Sequence, residues 1–272
     1  MKLKSIYINI GLILLLSCFS CKDSYQKLLK SSDYDLKFTK AKEYYNKGDY
    51  IKAIPLFEEL IGVLKGTKDV EDLYYFYPYC YYGQGDYEFA AYYFKNFIEF
   101  YPRSQRAEDA RFMIAYCYYK MSPISSLDQD NSYKTIEALQ FFADSYPHSE
   151  QIGECNELID ELRAKLEEKA YNGAKLYFDM KNYQAATTSF DNLLLDFPET
   201  KRQEQVQFLI LQAYYFYADN SIEDKQEERF EKAVESYLSF INKYPEGKYI
   251  REAERIYLDS LEKLEELQKK IN

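Results

Sequence analysis

The sequence predicts an all-α fold, an α-solenoid of about five helix–turn–helix units. Three observations carry that expectation. The spacing aromatic-x2-Ala-x3-aromatic recurs along the chain, at Tyr50/Ala53/Phe57, Tyr87/Ala90/Phe94, Tyr183/Ala186/Phe190 and Phe230/Ala233/Tyr237 among others. Offsets of three and four place all three residues on one helical face. A proline follows the second aromatic by eight positions at Pro102, Pro198 and Pro245, where its ring and missing N–H end the helix. Nine glycines and seven prolines in 272 residues are too few for a turn-rich β-sandwich and suit long helices.

The N-terminus reads as an address. "MKLKSIYINIGLILLLSCFSC" sets Lys2 and Lys4 before an apolar run from Ile6 to Leu16, then small residues. That is the pattern of a secretory signal, too short and wrongly flanked for a membrane span. The segment "LLSC" at 15–18 resembles the lipobox of bacterial lipoproteins, whose cysteine becomes the acylated first residue. Cys18 has Leu15 and Ser17 at the −3 and −1 places, and Cys21, with Cys18 and Ser20 there, is the second candidate. The expected layout is a signal peptide over 1–17 and a tether over 18–33. The lipobox implies a covalent diacylglycerol and an N-acyl chain on the new N-terminal cysteine, enough acyl chains for stable anchoring.

Repeats then fill the chain, with repeats 1–3 over 34–147 and a linking helix plus repeats 4–5 over 148–272. In "AKEYYNKGDY" at 41–50 and "AKLYFDMKNY" at 174–183, Ala-x2-Tyr precedes a short turn and the tyrosine of the second helix. "AYCYYK" at 115–120 supplies Ala115 and Tyr118 in the same relation. These units resemble the tetratricopeptide repeat, a helix–turn–helix of about 34 residues. Repeat 2 departs from the pattern, with Pro78 where a small first-helix residue is expected. Repeat 3 is a degraded copy, since counting back from Pro147 gives Ser132, Thr135 and Leu139. The polar stretches "SPISSLDQDNS" at 122–132 and "ADNSIEDKQEER" at 218–229 read as insertions within hairpin turns. Residues 150–181, without an internal proline, read as a longer helix joining repeats 3 and 4.

Little in the sequence supports catalysis. The only histidine, His148, lies in "YPHS", a turn between repeats, so no multi-histidine metal site is available. No phosphate-binding glycine loop and no G-x-S-x-G occurs. Carboxylates are plentiful, but in stretches such as "ELIDELRAKLEEK" at 157–169 they alternate with basic residues as on a solvated helix face. The expectation is no enzyme, no cofactor and no metal. A net charge of −10 would repel a phosphate backbone, which argues against nucleic acid as a partner. Cys80, Cys117 and Cys155 show no C-x-x-C spacing and read as small buried hydrophobes, with a disulfide as the lesser alternative.

Composition leaves one anomaly, 31 tyrosines and no tryptophan, more rings than the repeat consensus uses. On the first helices of repeats 1–3 the residues expected to line a concave face are Phe38, Lys42 and Tyr45, then Tyr75, Tyr79 and Tyr82, then Phe112, Tyr116 and Tyr119. These form stripes at helical spacing. Tyrosine offers large amphipathic contact at low entropic cost, which suits a binding groove. Packing of helix on helix is the alternative use of the same rings.

With its lipobox, its repeats and "SCFSCKDSYQKLLKSSDYDLKFTKAKEYYNKGDYIKAIPLFEEL" at 17–60 and "FYPRSQRAEDARFMIAYCYY" at 100–119, the chain resembles the BamD family of lipoproteins. The resemblance implies an acyl-anchored scaffold on the periplasmic side of the bacterial outer membrane, acting in insertion of β-barrel proteins. It further implies two partners, the periplasmic domains of a BamA-like barrel assembly subunit and unfolded outer-membrane β-barrel proteins. The N-terminal repeats would face the client and the C-terminal repeats the assembly subunit. A lipoprotein scaffold of a pilus, secretion or cell-wall complex is the competing expectation.

Overall fold

A computed structural model describes residues 24–64 and 70–271 of the chain. The two lipidation candidates, Cys18 and Cys21, lie outside the described residues. Within them there are helices and turns and no strand. A short helical segment at 24–29 precedes α1 (Tyr34–Asn46) and α2 (Tyr50–Val63), α3 (Val70–Gln84) and α4 (Tyr87–Phe100), and α5 (Ala107–Met121) and α6 (Asp130–Ser145). Then come the 28-residue α7 (Ile152–Asp179), α8 (Tyr183–Asp196), α9 (Gln203–Asp219), α10 (Glu223–Lys243) and the terminal α11 (Ile250–Ile271). Sequence neighbours pack on one another from α1 to α6 in the first part of the chain and from α8 to α11 in the last, the hairpin packing that the repeat predicts.

The residues fall into two compact units. One runs to Pro123 and resumes over Gln129–Ile159; the other comprises Ile124–Asp128 and the chain from Asp160 onward. The division falls inside α7. Its first turns close the first unit, where Cys155 and Leu158 pack with Leu139 and Phe142 of α6. Its last turns begin the second, where Ala174 packs with Ala186 and Phe190 of α8.

The repeat motif forms the core of both units. Ala53, Phe57, Ala90, Phe94, Ala186, Phe190, Phe230 and Ala233 are all buried. The alanines admit a neighbouring helix and the rings fill the space beside it. Each fully buried phenylalanine contributes roughly 1.5–3 kcal/mol. In the degraded third repeat Ser132, Thr135 and Leu139 hold the equivalent places and are also buried. Their hydroxyls are satisfied locally, Ser132 by Gln129 at 2.7 Å and Thr135 by the Asn131 carbonyl at 2.6 Å, so the polar substitution leaves no unpaired group.

Turn chemistry sets the hairpins. The first helices of repeats 1, 2 and 4 end on a residue in the left-handed region, Gly48 at φ 74°, Gly85 at φ 80° and Lys181 at φ 61°. In each, the next residue donates its N–H five positions back, Asp49 to Tyr44, Asp86 to Tyr81 and Asn182 to Tyr177, the Schellman arrangement. Second helices end differently. Tyr101, Tyr146, Phe197 and Tyr244 each precede a proline and adopt φ between −128° and −134°. The proline ring excludes the helical region for the residue before it.

The structure revises the two insertions. Only 122–129 of the first forms a connection, and Asp130, Asn131 and Ser132 already belong to α6. The second is mostly helix: after Ser221 and Ile222 the chain enters α10 at Glu223, so 223–229 add about two turns to its N-terminus. Glu223 and Asp224 there face the positive end of the helix dipole, which is why a polar, acidic stretch can be helical. Pro78 stays inside α3 and is buried, filling the small-residue place while supplying no N–H to the Tyr74 carbonyl. Cys80, Cys117 and Cys155 are free and buried.

Candidate protein-binding surface

The first helices of the first unit, α1, α3 and α5, carry the nine residues that the sequence singles out. Ring contacts join them in two groups, one through Tyr45, Tyr75 and Tyr79 and one through Tyr82, Phe112, Tyr116 and Tyr119. Tyr45 meets Phe76 at 5.1 Å, Tyr75 meets both Phe76 and Tyr79 at 5.4 and 5.2 Å, and Tyr82 meets Tyr116 at 6.2 Å. Tyr116 in turn stacks on Phe112 and lies 5.8 Å from Tyr119. The same rings also reach inward, Tyr75 to Phe97 at 5.6 Å and Tyr79 edge-on to Phe94 at 4.9 Å. All are half-buried except Phe112, which is 7% exposed and packs on Phe142. Phe112 is therefore core between α5 and α6, not part of an open face.

Charged groups tie the three helices along that layer. Lys42 of α1 pairs with Asp72 of α3 at 3.2 Å, and Asp72 also accepts from Arg106, just before α5, at 2.7 Å. Burial alone would raise the Asp72 carboxyl, but Arg106 and Lys42 together hold it below its usual range. The Lys42 ammonium lies over the rings of Phe38 and Phe76 at 5.2 and 5.3 Å. Asp109 accepts from the hydroxyls of both Tyr75, at 2.8 Å, and Tyr79. Burial, with the Asp109 carboxylate beside them, pushes both phenols up. Tyr45 and Tyr82 are raised to about 12, chiefly by burial. These four tyrosines remain neutral donors across any physiological pH.

Sequence reasoning missed Asp72, Phe76, Arg106 and Asp109, which fix the stripe. A signal for them existed. Ser104 donates to Glu71 at 2.6 Å and Arg106 to Asp72, while in the second unit Thr200 donates to Glu167 and Arg202 to Glu168, both at 2.6 Å. Every member of the second set lies 96 positions beyond its counterpart, as do Tyr171 after Tyr75 and Gln205 after Asp109. Comparison of "PRSQRAED" at 102–109 with "PETKRQEQ" at 198–205 displays that register.

At the start of the first unit Lys37 is fully buried, its ammonium bonded to Glu59 at 2.6 Å and to the Leu29 carbonyl at 2.9 Å. Tyr25 donates to the Lys52 carbonyl at 3.1 Å. The segment that follows the predicted anchor is thereby docked on repeat 1. His148 is exposed. Among the described residues no group of three His, Cys, Asp or Glu could hold a metal ion, and no helix is long and apolar enough to cross a membrane.

Helical hairpins packed in sequence order, with aromatic stripes on their first helices, define a helical-repeat protein. The chain belongs to the YfiO family of outer membrane lipoproteins, whose family model matches residues 32–229. No curated protein matches the sequence. Among solved structures, the TPR2AB domain of yeast Sti1 in its pHSP90 complex is 16% identical with a TM-score of 0.40, covering 84% of this chain and 98% of that one. A thermophilic tetratricopeptide protein of Thermus thermophilus is 12% identical with a TM-score of 0.33, over 84% and 98% of the two chains.

Proposed function

We propose that this protein is the BamD-type, non-catalytic scaffold of β-barrel assembly, acyl-anchored at Cys18 to the outer membrane and facing the periplasm. In this reading it binds a BamA-like assembly subunit and unfolded outer-membrane β-barrel proteins. The observation that carries it is the family match, which spans α1 to α9 in full and extends into α10. The aromatic layer of α1, α3 and α5 supports a client role for the first unit. Its exposed ring edges, with Phe38, Lys42, Tyr45, Tyr75, Tyr79, Tyr82, Tyr116 and Tyr119, offer amphipathic contact to an extended chain.

Depletion of the protein tests the role. Barrel assembly requires many outer-membrane proteins to be lost together, and a pull-down of the tagged protein from native membranes should recover a large barrel with repeated periplasmic domains. Loss of one appendage or one secretion system alone would instead favour a dedicated pilus, secretion or cell-wall scaffold. Anchoring is tested separately: Cys18→Ala should release the protein from membranes and Cys21→Ala should not. Acyl chains found on Cys21 by mass spectrometry would move the anchor there.

A further inference from the structure

Twice in this fold an arginine lies over a tyrosine beside a carboxylate, Arg106 over Tyr75 with Asp72 and Arg202 over Tyr171 with Glu168. A third setting has the rings and the carboxylate without the cation. A cleft of about 210 Å³ between α2, α3 and α4 is lined by Tyr74, Tyr77, Tyr93 and Phe100, with Glu58, Ile61 and Asn96 completing its wall. Tyr77 meets Tyr93 at 4.6 Å and Tyr74 meets Phe100 at 5.2 Å, and Phe100 is 57% exposed. The hydroxyls of Tyr77 and Tyr81 lie 3.1 Å apart, and Glu58 stands near enough for its charge to be felt at Tyr81. Among the described residues Glu58 takes part in no ion pair, and no lysine or arginine lies over any of the four rings.

On α3, Tyr74, Tyr77 and Tyr81 lie roughly 140° around the helix from Tyr75, Tyr79 and Tyr82. The cleft is thus separate from the stripe discussed above, and what it binds does not depend on that stripe's role. We propose that it takes a guanidinium-bearing side chain of a partner protein. Ring faces carry negative quadrupole charge, the carboxylate supplies a bidentate acceptor, and a planar, weakly hydrated guanidinium can use both at once where an ammonium uses one. The protein's net charge of −10 favours approach of a basic partner.

Arginine amide and its neutral isostere citrulline amide distinguish a cation site from a merely apolar one. Each is titrated into the mature lipidated protein in detergent micelles, with chemical shifts of Tyr74, Tyr93 and Phe100 as the readout. Arginine amide should give saturable shifts at about millimolar concentration, the range of a single side chain, and citrulline amide should bind at least about five-fold more weakly. Glu58→Gln changes an exposed carboxylate and should leave helicity unchanged while weakening arginine amide several-fold. Phe100→Ala should do the same. Equal affinity for the two amides would overturn the proposal, as would unaltered arginine binding in Glu58→Gln.

Discussion

The guanidinium of Arg106 lies over the ring of Tyr75, 4.6 Å from its centroid, while its Nη1 is bonded to Asp72 at 2.7 Å. Arg202 repeats this over Tyr171, at 4.5 Å, with Glu168 at 2.6 Å. In both, the backbone N–H of the arginine is held by the hydroxyl of the residue two before it, Ser104 or Thr200. The arginine belongs to the turn that starts one first helix, and both of its partners belong to the preceding first helix. This clasp therefore fixes the spacing of neighbouring first helices, the layer on which the proposed client face is built.

The clasp is open to direct measurement. Arg106→Ala should destabilise the protein by about 1–2 kcal/mol, the combined size of one partly exposed ion pair and one cation–π contact. Arg106→Lys should recover less than half of that, because an ammonium cannot keep the planar stacking and the carboxylate contact together. Denaturant midpoints at low and at 1 M salt separate the parts, since salt screens the ion pair far more than the stacking. A fully rescued Lys variant would show that only charge matters here.

Backbone strain at one turn offers a gain in stability. Lys181 occupies at φ 61° the place that Gly48 and Gly85 hold in repeats 1 and 2, and a side chain there costs about 1–2 kcal/mol, about 0.5–1 kcal/mol net of the freedom a glycine would lose on folding. Lys181 is exposed, so Lys181→Gly should raise the denaturation midpoint by that amount despite the added freedom of the unfolded chain. Gly85→Ala, with no atom near its would-be Cβ but φ at 80°, should lower it similarly. A lowered midpoint in Lys181→Gly, or a raised one in Gly85→Ala, would place the strain elsewhere.

The aromatic and alanine spacing made the helices, their order and most of the core legible, because burial on a 3.6-residue period leaves a direct trace in sequence. Prolines at 102, 147, 198 and 245 marked helix ends for the same local reason, as each forbids the helical conformation one residue before it. Two features were not local. The polar run 223–229 reads as loop by composition, yet α10 continues through it because acidic residues suit the start of a helix. The partners of Tyr75 and Tyr79 come from α5, some 30 residues on, so spacing within α3 could not show that their hydroxyls were already engaged. Phe112 fell at a stripe position by periodicity alone, while its contact with Phe142 depends on where α6 packs.

Close approach at the repeat alanines predicts intolerance to size. Ala90 and Ala186 are completely buried, and in each case leucine would add methylene groups where two helices touch. Ala90→Leu and Ala186→Leu should each lower stability by about 1–3 kcal/mol through overpacking. An unchanged melting profile in both would remove these alanines from the helix contacts assigned to them.

The buried thiols make the fold sensitive to alkali. Burial pushes Cys80 and Cys117 up from 9.0 to about 12 and Cys155 to about 11. Because the folded values are the higher ones, their contribution to stability is complete below pH 9 and is lost as pH rises toward 12. The three thiols should resist iodoacetamide at pH 8 in the folded protein and react fully in denaturant, as read by peptide mass spectrometry. Rapid labelling of any one in the native state would show that its site opens.

Replacing Tyr75 and Tyr79 separates the two uses of the aromatic stripe. Their rings pack on Phe97 and Phe94 while their hydroxyls meet at Asp109. Truncating both to alanine removes half-buried rings and should cost about 2–4 kcal/mol, below the 3–5 kcal/mol range of a fully buried ring. Helicity of that variant should fall on mild heating. The Tyr75→Phe/Tyr79→Phe pair keeps the rings and removes only the hydroxyls, costing about 1–2 kcal/mol as Asp109 turns to water. That second variant is the one on which binding should be measured, with an unfolded barrel-protein segment as ligand. If ring faces do the binding, its affinity stays within about two-fold of the parent, while Lys42→Ala and Tyr119→Ala on the same face each weaken it by 1 kcal/mol or more. Unchanged affinity in a folded Lys42→Ala/Tyr119→Ala variant would assign the stripe wholly to packing of helix on helix.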